Sequence, residues 1–127
     1  MNQLKFIDLF AGLGGFHVAL SELGHNCVFA SEIDEDLRKL YKINHGIECE
    51  GDITKIDVTK IPEHDIICAG FPCQPFSKAG KQNGLKDVAN GIFFDRIMEI
   101  ADHHHPGYIF LEQEVILLKS LKPDSIN

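Results

Sequence analysis

Cys73 stands between two prolines in GFPCQPFS, Gly70 to Ser77, directly after an apolar run. Unpaired cysteines are usually buried as small hydrophobes, so a thiol in such a turn calls for a chemical explanation. Pro72 fixes its own φ and biases Phe71 toward extended backbone, and Pro75 does the same to Gln74. The sulfur is thereby expected in a defined geometry. A thiolate is the reactive form, and an unperturbed cysteine titrates near about 8.5, so a nucleophile needs an activating neighbourhood. Cys68, inside IICAG, reads instead as a small core residue. Glu112 closes the apolar run GYIFLE, where a partly buried carboxyl suits a proton donor. The plainer alternative for Glu112 is a helix cap for QEVILLKSL. Chain position does not separate the two.

Three further groups suit ligand binding. DLFAGLGG carries Gly12, Gly14 and Gly15 in a turn after an apolar run, where bare backbone can approach a ligand. It is not the GxGxxG fingerprint, because Gly14 and Gly15 are adjacent, and a plain strand-to-helix turn explains it as well. Glu32 follows a second apolar run and is placed to accept from ribose hydroxyls, or simply to open the next helix. Asp52 in GDIT either binds an amino group or caps a turn.

The elements that must position these groups alternate. LKFIDLF (4–10), NCVFASE (26–32), a short segment near IECE (47–50), HDIICAGF (64–71) and GYIFLE (107–112) read as five strands. FHVALSELG (16–24), DEDLRKLYKINHG (34–46) and GIFFDRIMEIADHH (91–104) read as helices, the last preceded by a loop rich in Gly, Lys and Asn. Such alternation predicts an α/β fold with a doubly wound parallel sheet, whose ligands sit beyond the carboxyl ends of the strands. Each strand then delivers one useful group to the same rim.

Composition limits the rest. The 127 residues make one domain or part of one, 44% hydrophobic and 24% charged. Twelve basic against nineteen acidic residues leave a net charge of −7. That balance argues against this chain alone gripping nucleic acid, which needs a basic footprint. Cys27, Cys49, Cys68 and Cys73 show no metal-ligand spacing, so no metal is expected and the thiols read as reduced, in a cytosol. The histidine run 103–105 suits a helix terminus. No apolar run approaches the roughly 20 residues of a membrane span, and Asp8 breaks the first apolar run, against a signal peptide.

Taken together, FIDLFAGLGGF, Glu32, GDI, GFPCQPFS and YIFLEQEV resemble, in order and spacing, the early motifs of the DNA (cytosine-5) methyltransferases. The resemblance covers nearly the whole chain, and its Pro-Cys-Gln segment is the most specific part. It implies a Rossmann-like S-adenosylmethionine-dependent methyltransferase fold, mostly parallel and doubly wound, incomplete at its C-terminus. It implies that Phe10, Gly12, Gly14 and Gly15 hold S-adenosylmethionine, with Glu32 on its ribose and Ile33 packed on its adenine. Asp52 would meet the adenine amino group, and Ile53 and Pro72 would complete the set. Cys73 would be the nucleophile and Glu112 the group acting at cytosine N3.

Two departures stand out. Gln113-Glu114 replace the usual Asn-Val, and Asn90-Gly91-Ile92 stand where Arg-Gly and a small polar residue are typical. The expectation is that residues 1–127 are a partial catalytic domain lacking the target-recognition region, which would carry the basic DNA-binding surface. Methyl transfer to DNA would then need a complementary subunit or self-association, in a bacterial cytosol beside the nucleoid. The alternatives are an inactive remnant or interaction module, a tRNA cytosine-5 methyltransferase, and a nicotinamide-dependent thiol oxidoreductase. Adjacent Gly14 and Gly15 count against the last.

Overall fold

The computed structural model describes residues 2–70 and 79–112, by backbone alone over 79–90. Four apolar runs form parallel strands: β1 (Lys5–Leu9), β2 (Asn26–Ala30), β3 (Ile66–Ala69) and β4 (Tyr108–Leu111). Their spatial order is β2-β1-β3-β4. Between them run α1 (Gly15–Glu22), α2 (Glu35–His45) and α3 (Ala79–His104). The chain steps from β1 to one side and from β3 to the other. Crossovers of one hand therefore place α1 and α3 on opposite faces.

Alternation along β1 records this arrangement. Ile7 and Leu9 pack with Ile67, Ala69 and the α3 residues Ile97 and Ile100. Phe6 packs the other way, with Leu20 of α1 and with Ile66 and Cys68 of β3. β1 and β3 form the sheet's buried centre, and strand order reverses between their exits.

Local chemistry sets the element ends. Asp34 caps α2 by accepting from the Leu37 amide at 3.0 Å, with Glu35 and Asp36 in the first turn and Lys42 and His45 in the last. Gly46 ends that helix at φ 76°. Asp52 and Asp57 cap the short 3-10 turns Ile53–Lys55 and Val58–Lys60 in the same way, each accepting from a threonine amide and hydroxyl. The histidine run terminates α3, with His105 at φ 53°. Among the described residues no group of three His, Cys, Asp or Glu could hold a metal ion.

Two expectations are corrected. Residues 47–50 are not a strand: only Glu50 pairs, in an isolated parallel bridge to Ser31. Gly51 and the Asp52 cap turn the chain away immediately afterwards, so the described sheet has four strands rather than five. The stretch before residue 91, read as a loop, is helical from Ala79. Gly80 and Gly84 each cost about 1 kcal/mol of helix propensity, but extending an existing helix adds one hydrogen bond per residue fixed.

The α1–α2 face carries a polar exception. Asp8 is 1% exposed in the middle of β1, where a carboxylate needs donors. The Tyr41 hydroxyl donates to Asp8 Oδ2 at 2.9 Å, and His17 Nδ1 lies 2.7 Å from the same hydroxyl. With the one phenolic proton given to Asp8, the Tyr41 oxygen accepts from His17 Nδ1–H. His17 also stacks on His45, with ring centroids 4.2 Å apart. Cys27 of β2 closes the cluster at 3.8 Å from the Tyr41 hydroxyl.

Burial, and then the charge of His45, lowers the His17 pKa from 6.5 to about 4. The unfolded chain therefore binds a proton at His17 below pH 6.5, while the folded chain refuses it until about pH 4. Stability contributed by the neutral ring is complete above that window and lost as pH falls through it. Thermal melts should show Tm falling from about pH 6.5 downward. His17→Gln should remove part of that fall, leaving the share of His64, whose pKa is also lowered by burial.

Candidate cofactor and catalytic site

The strand exits are tied into one rim by backbone hydrogen bonds. The Gly70 amide donates to the Leu9 carbonyl at 3.3 Å and the Glu112 amide to the Ala69 carbonyl at 3.0 Å, aligning the ends of β1, β3 and β4. Ala11 N–H donates to the Ser31 carbonyl at 2.9 Å, which joins the exit of β2. Strand order reverses between β1 and β3, the position where open parallel sheets take ligands.

The turn after β1 is built from unusual backbone. Phe10 sits at φ 54°, strained for a bulky side chain, and its ring meets Phe93 of α3 edge-on at 5.1 Å. Gly12 follows at φ 56°, and a Cβ there would meet nothing within 4 Å. The same is true of Gly15, the exposed first residue of α1. Gly14 differs. It is buried at φ 88°, and a Cβ would lie 2.3 Å from His45 Nε2. Its bareness makes room for α2.

Glu32 ties this turn to the exit of β2. Its Oε1 accepts from the Gly12 amide at 2.8 Å and its Oε2 from the Asp34 amide at 3.0 Å. Arg38 of α2 donates through Nη1 to the carbonyls of Glu32 and Ile33, both at 2.9 Å. Each carboxylate oxygen retains acceptor capacity beyond these bonds. Beside it, Ile33 is 70% exposed, a large apolar side chain without cover. Asp52 caps its turn through Oδ1, and the Thr54 hydroxyl, then the Thr54 amide, holds its pKa below the usual carboxylate value. Ile53 is buried against the α3 side, its carbonyl fixed by Arg96 Nε at 2.9 Å. Arg96 Nη2 donates to the Ile56 carbonyl as well.

Phe10, Ser31, Glu32, Ile33, Asp52 and Ile53, with Gly51 and Phe93, line one slot of about 70 Å³. Complete small-molecule pockets hold about 300 Å³ or more. The slot therefore suits the edge of one ring system, not a whole nucleoside. Its chemistry fits an adenosine end: apolar walls from Phe10, Ile33, Ile53 and Phe93, with carboxylates at the mouth. Ser31 Oγ, buried, has no hydrogen-bond partner among the described residues. A larger groove of about 500 Å³ runs along β2, lined by Cys27, Phe29, Ile47 and Lys60 among others, and contains no residue expected to bind or react.

Of the expected site residues, Phe10, Gly12, Glu32, Ile33, Asp52 and Ile53 meet at this rim, Gly14 and Gly15 continue its turn, and Pro72 and Cys73 lie outside the described residues. Glu112 lies beside the end of β3 as expected, but it is exposed rather than partly buried, because β4 is itself exposed along its length. Sequence reasoning missed Arg38, Arg96, Tyr41, His17 and His45. For Tyr41 and His17 a carboxylate in a buried strand was the available signal, since Asp8 demands partners.

Residues 4–122 match the C-5 cytosine-specific DNA methylase family. The chain belongs to that family. It is 50% identical over 112 residues to the type II methyltransferase M.HhaI of Haemophilus parahaemolyticus, covering 88% of this chain and 34% of that protein. It is 53% identical over 114 residues to the type II methyltransferase M.HpaII of Haemophilus parainfluenzae, covering 87% and 31%. Among solved structures it superposes on the Dnmt2 methyltransferase of S. pombe with a TM-score of 0.64 and 25% identity, over 86% of this chain and 35% of that one. The fold is thus the Rossmann-like α/β fold of these methyltransferases, and the chain spans about a third of the curated relatives' length.

In this family member the Arg38 bridge generates a prediction. Arg38→Met keeps the stem and removes both donated bonds. Stability should drop by about 1–3 kcal/mol in urea denaturation, and the Gly12 amide should exchange faster as Glu32 loosens. Unchanged exchange at Gly12 would show that Arg38 plays no part in holding the carboxylate.

Proposed function

We propose that the protein transfers a methyl group from S-adenosylmethionine to C5 of cytosine in DNA through a covalent adduct at Cys73, and that this chain supplies the adenosine slot and the nucleophile. The observation that carries this is the rim itself. Glu32 with spare acceptors, uncovered Ile33 and ionised Asp52 converge on one slot, at the switch point from which β3 leads to Pro72 and Cys73. Membership of the cytosine methylase family supports the substrate class.

The residues divide the work. Glu32 accepts from ribose hydroxyls while it holds Gly12, Ile33 and Ile53 flank the adenine, and Asp52 takes its amino group. Phe10, Gly12, Gly14, Gly15 and Pro72 shape the rest of the cofactor path. Cytosine C5 is a poor nucleophile, and Cys73 corrects this. Its thiolate forms a bond to C6 while Glu112 delivers a proton to N3, and the ring electrons then load C5. S-adenosylmethionine, when bound, supplies the electrophilic methyl that C5 takes up. Loss of the C5 proton to water then expels the Cys73 thiolate and restores the 5,6 double bond, while N3 returns its proton to the Glu112 carboxylate. The base must leave the duplex to meet the thiol.

The three described thiols support Cys73 by contrast. Burial pushes Cys27 up to about 11 and Cys49 and Cys68 to about 12, so none is a thiolate near neutral pH. DNA contact falls to a recognition region beyond these residues, in keeping with the net charge of −7. A complementary subunit or a second copy fits the exposed apolar run of β4, Tyr108 to Leu111, which has no strand on its outer edge among the described residues. No described helix is long and apolar enough to cross a membrane. The proposed setting is the cytoplasm, at the DNA.

Calorimetric titration tests the cofactor half. S-adenosylmethionine should bind saturably and NADH should not. Glu32→Ala should weaken that binding about tenfold or more. Preferential NADH binding would replace this reading with a nicotinamide enzyme. In the completed enzyme, Cys73→Ser should abolish methyl transfer, and unchanged turnover would remove the adduct mechanism.

A further inference from the structure

The turn that carries Gly12 to Gly15 is held firmly at its start. Ala11 N–H reaches the Ser31 carbonyl and Gly12 N–H reaches Glu32. Its distal half has no comparable anchor on β2, and the Leu13 side chain, 62% exposed, supplies no packing. What meets this half is α2. His45 Nε2 lies 3.0 Å from the Leu13 carbonyl, and since a carbonyl only accepts, that nitrogen carries the proton. We infer that His45 is a positioning residue for the cofactor turn, latching the Leu13 carbonyl to α2 while its stacked ring links the latch, through His17 and Tyr41, to Asp8.

The contact is built from both sides. Gly14 is bare where His45 arrives, and any side chain there would collide with the imidazole and with Tyr41. Tyr41 and His45, four residues apart on α2, share one face, with ring centroids at 4.5 Å. The His45 ring lies flat on His17, with 18° between the planes. His17 gives its Nδ1 proton to Tyr41, which donates to Asp8, two residues before the turn begins. The segment from Asp8 to Gly14 is thus closed into a ring by side chains of α1 and α2. The unpacked Leu13 and the open space at Gly12 and Gly15 leave the backbone free to face a ligand while α2 fixes its path.

This rests on the S-adenosylmethionine reading of the turn, and the test separates the two. His45→Phe keeps a ring to stack on His17 and loses the donor, while His45→Gln keeps an N–H donor and loses the ring. Cofactor affinity would be measured by calorimetry, and exchange of the Gly14 amide by NMR, on the full chain. His45→Phe should weaken S-adenosylmethionine about five- to tenfold, one net hydrogen bond, and speed exchange at Gly14 with unchanged far-UV circular dichroism. His45→Gln should recover most of both. Wild-type affinity and exchange in His45→Phe would overturn the latch, as would equal loss in the two variants. If the wild-type chain takes up no S-adenosylmethionine, the cofactor reading fails alone, and the exchange comparison still decides the latch.

Discussion

The 2.8 Å hydrogen bond from the Gly12 amide to Glu32 Oε1 is the constraint on which the rim depends. Parallel strands deliver their loops in one direction but give them no reason to meet, since loops gain most by spreading into water. Here the turn after β1 and the residues after β2 share one carboxylate, whose other oxygen holds the Asp34 amide at the head of α2. Three elements therefore take their relative positions from one side chain. Phe10 bears the consequence: to bring Gly12 within reach of Glu32, the backbone passes through a left-handed residue that is not glycine. Its ring compensates by packing on Phe93, which also joins α3 to the same corner.

The two faces of the sheet solve different problems. On the α3 side, Ile7, Leu9, Ile67, Ile97 and Ile100 form an apolar core that resists unfolding without specifying much. On the α1–α2 side, Asp8, Tyr41, His17 and Cys27 form a polar network that is satisfied only in one arrangement. Burial, then the charge of Asp8, holds the Tyr41 hydroxyl protonated, so its donation to Asp8 is fixed in direction. Such networks trade raw stability for a defined geometry. The geometry is needed on this face, because it lies under the turn.

The sequence showed much of this and concealed the rest for identifiable reasons. Strands β1 to β4 were legible because each is a short apolar run bounded by turn residues, and α2 because Asp34 and Gly46 mark its ends. Segment 47–50 misled because Ile47 and Cys49 alternate like a strand, although pairing stops after one residue. The first half of α3 was hidden by its glycines and asparagines. Glu32, Asp52 and the Gly turn were read as candidate ligand groups, with a turn cap as the alternative for Asp52, but the bond from Glu32 back to Gly12 was not foreseen. The cap at Asp52 is local and legible in GDIT, whereas the Glu32 staple reaches back 20 residues to backbone, which a residue type does not reveal. His45 was least visible, because its meaning depends on Gly14 lying opposite, 31 positions earlier in the chain.

A proposed nucleophile at Cys73 requires that the other cysteines stay out of the chemistry. Cys27, Cys49 and Cys68 are each buried, and each is pushed to a pKa of about 11 or 12, chiefly by that burial. Nearby carboxylates act in the same direction: Asp8 raises all three, and Glu32 also raises Cys49. The groups that organise the turn thus hold the neighbouring thiols in their unreactive form. Cys73 follows β3 by a few residues, beyond the strand in which Cys68 is enclosed. The strand boundary at Ala69 thus separates Cys68, a thiol used for packing, from the segment that carries the proposed nucleophile, which follows the same strand in sequence.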